Sequence, residues 1–197
     1  MSPPERNICV FAGSSPGTLP DYRSAATAFG EEIVARGYGL VYGGGKVGLM
    51  GSIADAVLRS GGYAVGVIPQ ALIGKEVAHE ELDELEIVNS MHERKQRMAE
   101  LANAFVAMPG GMGTLEELAE VLTWAQLGIH AKPCGVLNVR AYFDPLLAYL
   151  DHGVEHRFVR SEHRSIIQVA ESAAELIDKL EAYEPVHVGK WMDRDQT

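Results

Sequence analysis

Short apolar runs alternate with stretches of helical periodicity along almost the whole chain, and glycine or proline stands at most junctions. This strict alternation limits the fold more than any other feature. The strand candidates are Ile8–Ala12, Gly39–Tyr42, Tyr63–Ile68, Leu85–Val88, Ala104–Met108, Cys134–Val139 and Ile166–Val169. Between and after them the spacing predicts helices over Asp21–Arg36, Leu49–Ser60, Met91–Asn103, Leu115–Leu127, Tyr142–His152 and Ala173–Tyr183. A β–α alternation of this kind requires a parallel sheet with helices on both faces, the doubly wound α/β layout. In such sheets ligands bind beyond the carboxyl ends of the strands. With 197 residues and no linker or repeat, residues 1–197 read as one domain, with a loosely held tail after Pro185.

Charge narrows the choice of partner. The chain has 17 Lys plus Arg against 27 Asp plus Glu, a formal charge of −10. That balance argues against nucleic acid or an anionic membrane as the main partner, yet leaves room for a small phosphorylated ligand held at a local anion site. Cys9 and Cys134 both sit in apolar strand runs and are too few for a disulfide framework or a Cys-based zinc site. The opening MSPPERN carries both signs of charge, and no stretch approaches the roughly 18 apolar residues of a membrane span. The expectation is a reduced, cytoplasmic protein.

Three strands run into glycine-rich turns: Gly13-Ser14-Ser15, Gly43 to Gly51, and Pro109-Gly110-Gly111-Met112-Gly113-Thr114. Glycine lets the backbone approach an anion, and the helix that follows offers its unpaired N–H groups. One such loop is explained by turn sterics alone, whereas three at strand carboxyl ends favour phosphate binding. Gly43, Gly45 and Gly48 satisfy G-x-G-x-x-G, but the next strand ends Ile68-Pro69-Gln70 without the acid that holds a nicotinamide dinucleotide's ribose. A P-loop fails as well, because Val47 follows Lys46 where Ser or Thr is required.

Ser90 and Glu93 form an S-x-x-E capping box that starts a helix at Met91. On that helix Met91, Met98, Ala99, Leu101 and Ala102 share one face, and Arg94 and Lys95 flank its centre while Arg97 joins the solvated side. Long stems can carry a cation out to water, but two adjacent cations on an inward face favour an anionic ligand. Thr114 and Glu117 repeat the capping-box spacing directly after the last glycine loop. Capping and catalysis stand level for Glu117, since an acid beside a phosphate loop repels the phosphate. The same helix stacks Leu115, Leu118, Ala119 and Leu122 on one side, with Val121, Trp124 and Leu127 largely off that stripe. Apolar residues on two sides predict burial on both, hence a subunit interface.

The run Pro109 to Glu117 resembles the PGGxGTxxE motif of the LONELY GUY (LOG) family of cytokinin riboside 5′-monophosphate phosphoribohydrolases. Val41–Gly51, Met91-His92-Glu93-Arg94-Lys95 and Thr123-Trp124-Ala125-Gln126-Leu127-Gly128 are similar to the same family. The likeness extends from about Ile8 to about Leu150 and is weakest over Lys75–Glu84 and the tail. It implies a Rossmann-like homodimer that hydrolyses the N-glycosidic bond of adenosine 5′-monophosphates, N6-modified ones included, with neither cofactor nor metal. By the same likeness Arg94 and Glu117 are the catalytic pair. The nucleotide would be contacted by Arg94, Lys95, Gly110, Gly111, Met112, Gly113, Thr114, Leu115 and Glu116, with Glu76 and Thr123 as further contacts. Some members carry a lysine decarboxylase label, but no lysine here sits where a Schiff base with pyridoxal phosphate is expected. The competing reading is a non-catalytic carrier of a nucleotide or of the molybdenum cofactor. A carrier would use the glycine loops and the cation but has no need of an acid beside the phosphate.

Overall fold

The computed structural model describes residues 3–74 and 77–186. Each apolar run forms a strand: β1 (Asn7–Phe11), β2 (Gly39–Tyr42), β3 (Ala64–Pro69), β4 (Glu84–Val88), β5 (Ala104–Ala107), β6 (Cys134–Leu137) and β7 (Ile167–Ala170). All pairings are parallel, in the order β4-β3-β2-β1-β5-β6-β7. The central strand β1 sets Ile8 opposite Leu40 of β2 on one side and Ala104 of β5 on the other. Chain order reverses at this strand, which makes the crevice between β1 and β5 the place where a ligand fits.

The helices are α1 (Pro20–Ala35), α2 (Gly48–Arg59), α3 (Met91–Leu101), α4 (Met112–Gln126), α5 (Asp144–Glu155), α6 (Ser161–Arg164) and α7 (Ala173–Glu181). Alternating strand residues feed two cores, as a two-faced sheet requires. Ile8, Val10, Leu40 and Val106 pack with Phe29 and Ile33 of α1, Ile53 and Val57 of α2, and Leu176 and Ile177 of α7. Cys9, Phe11, Val41 and Phe105 pack on the other face against Met98 of α3 and Val121 of α4. A third cluster continues that face through Ala107, Val136 and Leu118 to Phe143 and the half-buried leucines of α5.

Two sequence expectations need correction. Helix α4 begins at Met112, three residues before the expected Leu115, because its N-cap is Gly111, in an extended conformation. The glycine turn is therefore shorter than it reads. The second apolar side of α4 is also covered from within the chain. Val121 is buried and Trp124 half-buried against the Cys9–Phe105 core, while the apolar residues left exposed are Met112, Leu115 and Leu127, with Ile129 just beyond the helix.

Candidate active site

The three glycine turns meet at the carboxyl ends of β1, β2 and β5. The Gly13 amide donates to the Pro109 carbonyl at 3.1 Å, and the Leu49 amide to the Gly13 carbonyl at 2.9 Å. Gly48, at φ +67°, lies so close to the Ser14 carbonyl that a Cβ there would collide with it. The backbone conformation and the close approach both require glycine. Together the loops border a cleft of about 320 Å³ lined by Gly13, Ser14, Ser15, Pro109, Gly110 and Tyr142 among others. The N-terminus of α4 opens beside it, with N–H groups suited to an anion.

Helix α3 starts as its sequence predicts. Ser90 is the N-cap and its hydroxyl accepts from the Glu93 amide at 3.1 Å; the Glu93 carboxylate in turn accepts from the Asn89 amide at 2.7 Å. One turn on, Arg94 is only 5% exposed. Its Nη2 donates to the Gly43 carbonyl at 3.0 Å, and the fit is so close that a Cβ on Gly43 would overlap the guanidinium. A cation at this depth is costly to desolvate, and the β2 turn is built around it.

Lys95, expected to face an anionic ligand, meets two carboxylates of α4. Its Nζ lies 2.6 Å from Glu116 and 3.0 Å from Glu120, so it ties α3 to α4. The hydrogen bond to Glu116 raises its pKa above the ordinary lysine value and holds it charged. Arg97, assigned to the solvated side, pairs there with Glu86 through contacts of 2.6 and 2.8 Å.

On α4, Thr114 is the third helical residue and is buried; it packs against Gly110. Glu117 is the sixth, past the positions where a side chain caps a helix start. The capping reading of this pair fails for that reason. Glu117 is half-buried and, with Lys95, Phe11 and Trp124, borders a small cavity between α3 and α4. The Cys9 thiol, fully buried in β1, reports where the charges lie. Burial pushes its pKa well above the usual thiol value, the negative charge of Glu117 adds to the rise, and Arg94 opposes it. Helices α3 and α4, which carry Arg94 and Glu117, pack on the same face of the central strand.

A family model described as "Possible lysine decarboxylase" matches residues 50–180. Over 181 residues the chain is 55% identical to the probable cytokinin riboside 5′-monophosphate phosphoribohydrolase LOGL9 of Oryza sativa subsp. japonica, covering 92% of this chain and 80% of that one. It is 51% identical over 182 residues to the cytokinin riboside 5′-monophosphate phosphoribohydrolase LOG1 of Arabidopsis thaliana, covering 92% and 85%. The chain belongs to the LOG family. The LOG-family fold also matches a molybdenum cofactor binding protein from Rippkaea orientalis, with a TM-score of 0.68, 19% identity, and 90% and 97% of the two chains covered. A molybdenum cofactor carrier protein from Chlamydomonas reinhardtii matches with a TM-score of 0.66 and 22% identity, over 90% and 96%. At these identities the likeness is one of fold.

The remaining expected site residues of this LOG-family chain divide into three groups. Gly110, Gly111, Met112 and Gly113 form the turn into α4, with Met112 exposed; Leu115 and Glu116 follow on its first turns. Thr123 is not brought to the glycine cleft. It lines an apolar groove of about 170 Å³ between α4, α5 and α6, and its hydroxyl donates to the Ala119 carbonyl at 2.7 Å. Glu76 lies outside the described residues.

Sequence reasoning missed Tyr142 and Glu120. The Tyr142 hydroxyl donates to the Gly110 carbonyl, and its ring meets Tyr22 edge-on at 5.8 Å. It follows two non-glycine residues held in the left-handed region, Arg140 at φ 53° and Ala141 at φ 57°. Strain of this kind persists only where its surroundings impose it; here Arg140 is pinned to Asp21 at 2.8 Å. Among the described residues, the one group placed to hold a metal is His152, Glu155 and His156, exposed on the last turn of α5 and not among the residues lining the glycine cleft.

Proposed function

We propose that this LOG-family chain hydrolyses the N-glycosidic bond of adenosine 5′-monophosphates, N6-modified ones included, to the free base and ribose 5-phosphate. The observation that carries the reading is the placement of Glu117. It lies about 7.5 Å along α4 from the helix start, and helical side chains lean back toward the N-terminus. In this reading a ribose 5-phosphate anchored by the glycine turn binds with its anomeric carbon toward that carboxylate.

The chemistry follows from those positions. N–H groups of Gly110 to Thr114 and the Thr114 hydroxyl hold the 5′-phosphate at the positive end of α4. As the C1′–N bond breaks, its electron pair leaves with the base and positive charge develops at C1′. Glu117 stabilises that oxocarbenium-like state and, as general base, takes a proton from the water whose oxygen bonds to C1′, while the departing nitrogen takes up a proton so that the neutral base is released. Arg94, fixed by the Gly43 carbonyl, offsets the negative charge of phosphate and carboxylate together. A carrier of the same fold has no use for Glu117. A decarboxylase reading meets the opposite difficulty, because Lys95 is held protonated between two carboxylates and a Schiff-base lysine must be neutral.

The active assembly is a homodimer closed by the exposed apolar residues of α4 and the groove beside them, an isologous contact of one patch with itself. The compartment is the cytoplasm: Cys9 and Cys134 are both free and buried, as suits a reducing environment. No helix of the described residues is long and apolar enough to cross a membrane. The deciding assay is release of ribose 5-phosphate from AMP and from N6-isopentenyl-AMP. Release from neither substrate overturns the proposal.

A further inference from the structure

His79 lies in the segment where the likeness to the family is weakest, and it is fully buried. The Glu81 amide donates to its Nδ1 at 3.2 Å, which leaves the proton on Nε2, and Nε2 donates to the Asp55 carboxylate on α2 at 3.0 Å. The backbone around it is fastened as well. The His79 amide donates to the Gly44 carbonyl at 2.9 Å, the Lys46 amide to the Val77 carbonyl at 2.9 Å, and Ala78 bridges Gly45 in antiparallel fashion. Residues 77–81 thus form a strap across the second glycine turn. One residue before its contact with Gly44 stands Gly43, whose carbonyl receives Arg94.

We propose that His79 is a positioning residue: with Asp55 it locks this strap onto the Gly43–Lys46 turn and so fixes the carbonyl that holds the Arg94 guanidinium. Two backbone hydrogen bonds over one short antiparallel contact do not make a stable ribbon in water. The buried imidazole supplies what they lack, because its two nitrogens join the strap's own bend to α2, the helix that follows the turn. Val77, a β-branched residue at φ 47°, shows that the strap is held in a conformation its sequence does not favour. The Tyr42 hydroxyl, buried directly before Gly43, finds no hydrogen-bond partner among the described residues, and Asp55 is the charged group that raises its pKa further after burial.

The proposal rests on the phosphoribohydrolase reading for its kinetic test and stands apart from it in a second measurement. Asp55 is 42% exposed, so Asp55→Leu removes the lock without opening the core, and Asp55→Asn keeps an oxygen that accepts from Nε2. Displacement of a catalytic group by about 1 Å costs up to about 100-fold. The expectation for Asp55→Leu is a kcat lower by about tenfold or more, with a smaller rise in the KM for AMP because the Gly110–Thr114 turn is untouched while Arg94 shifts. Asp55→Asn should restore most of the rate. Amide exchange at Lys46 and His79 should be slow in the wild-type chain and in Asp55→Asn, and fast in Asp55→Leu. If Asp55→Leu does not fold, His79→Asn makes the same comparison, since it keeps the acceptor for the Glu81 amide but does not reach Asp55. Wild-type kcat or unchanged exchange in the lock-breaking variant overturns the proposal. A wild-type chain that releases no ribose 5-phosphate overturns the activity instead, and the exchange measurement alone then decides the strap.

Discussion

Glu117→Gln separates chemistry from architecture. Glu117 is the sixth residue of α4 and caps nothing, so the substitution removes no hydrogen bond that starts the helix. Gln is nearly isosteric and the site is half-buried, which keeps the loss of stability below about 1 kcal/mol, or a shift in Tm within about 4 °C for a domain of this size. What disappears, in the proposed mechanism, is the negative charge that faces C1′ and the base that activates water. Loss of a general base costs about 100-fold or more in kcat, equivalent to about 2.7 kcal/mol of transition-state stabilisation. The expected profile is a folded variant with kcat lower by that factor and a KM for AMP equal or lower, because a carboxylate near the phosphate has been neutralised. Thr114→Val is the counterpart. It keeps the shape of a buried side chain and replaces only the hydroxyl, so KM for AMP should rise about thirtyfold, within the range for a hydrogen bond to a charged group, with kcat less affected. Calorimetry and steady-state release of ribose 5-phosphate measure both variants. A Glu117→Gln enzyme with near-wild-type kcat refutes the mechanism.

Anchoring by the phosphate predicts that kcat/KM for adenosine lies far below that for AMP; comparable values would remove the glycine turn from substrate binding. The homodimer predicts that Leu127→Asp, at a residue 66% exposed on the outer side of α4, shifts sedimentation toward the monomer. A wild-type chain that is monomeric at micromolar concentration while fully active contradicts that assembly. His130 predicts an acid limb of stability. Its Nε2 donates to the Val121 carbonyl and its Nδ1 accepts from the Lys132 amide, and burial lowers its pKa below 6.5. As pH falls from 6.5 toward the folded value, the unfolded chain takes up the proton first, so stability is lost over that window. Tm measured from pH 7 to 5 should fall more steeply for the wild-type chain than for His130→Gln, and equal slopes would show that this histidine is not the group responsible.

How much of this was legible in the sequence depends on the distance over which each feature is decided. Strands and long helices are fixed by local periodicity, and β2, read as Gly39–Tyr42, occupies those residues in the structure. Helix α6 spans four residues, too few for any period to show. The start of α4 was misread because S/T-x-x-E spacing is a pattern that many segments share; Ser90 and Glu93 form a true cap, whereas Thr114 and Glu117 repeat the letters two positions inside a helix. Amphipathicity shows which α4 residues are apolar but not what covers them, and Trp124 turns inward to Phe11 and Phe105. Pairings across elements leave no local trace at all. Lys95 read as a cation facing an anionic ligand, and its partners Glu116 and Glu120, 21 and 25 residues away, left no sign in its own helix. Arg94 and Lys95 were recognisable together from their own helix, as cations flanking the centre of an apolar stripe, and the fold separates them: Arg94 is buried against the Gly43 carbonyl, whereas Lys95 reaches carboxylates of α4. A site residue at odds with its own element can be found from sequence alone; one whose role depends on a neighbouring element, as with Lys95, Tyr142 or His79, needs the fold.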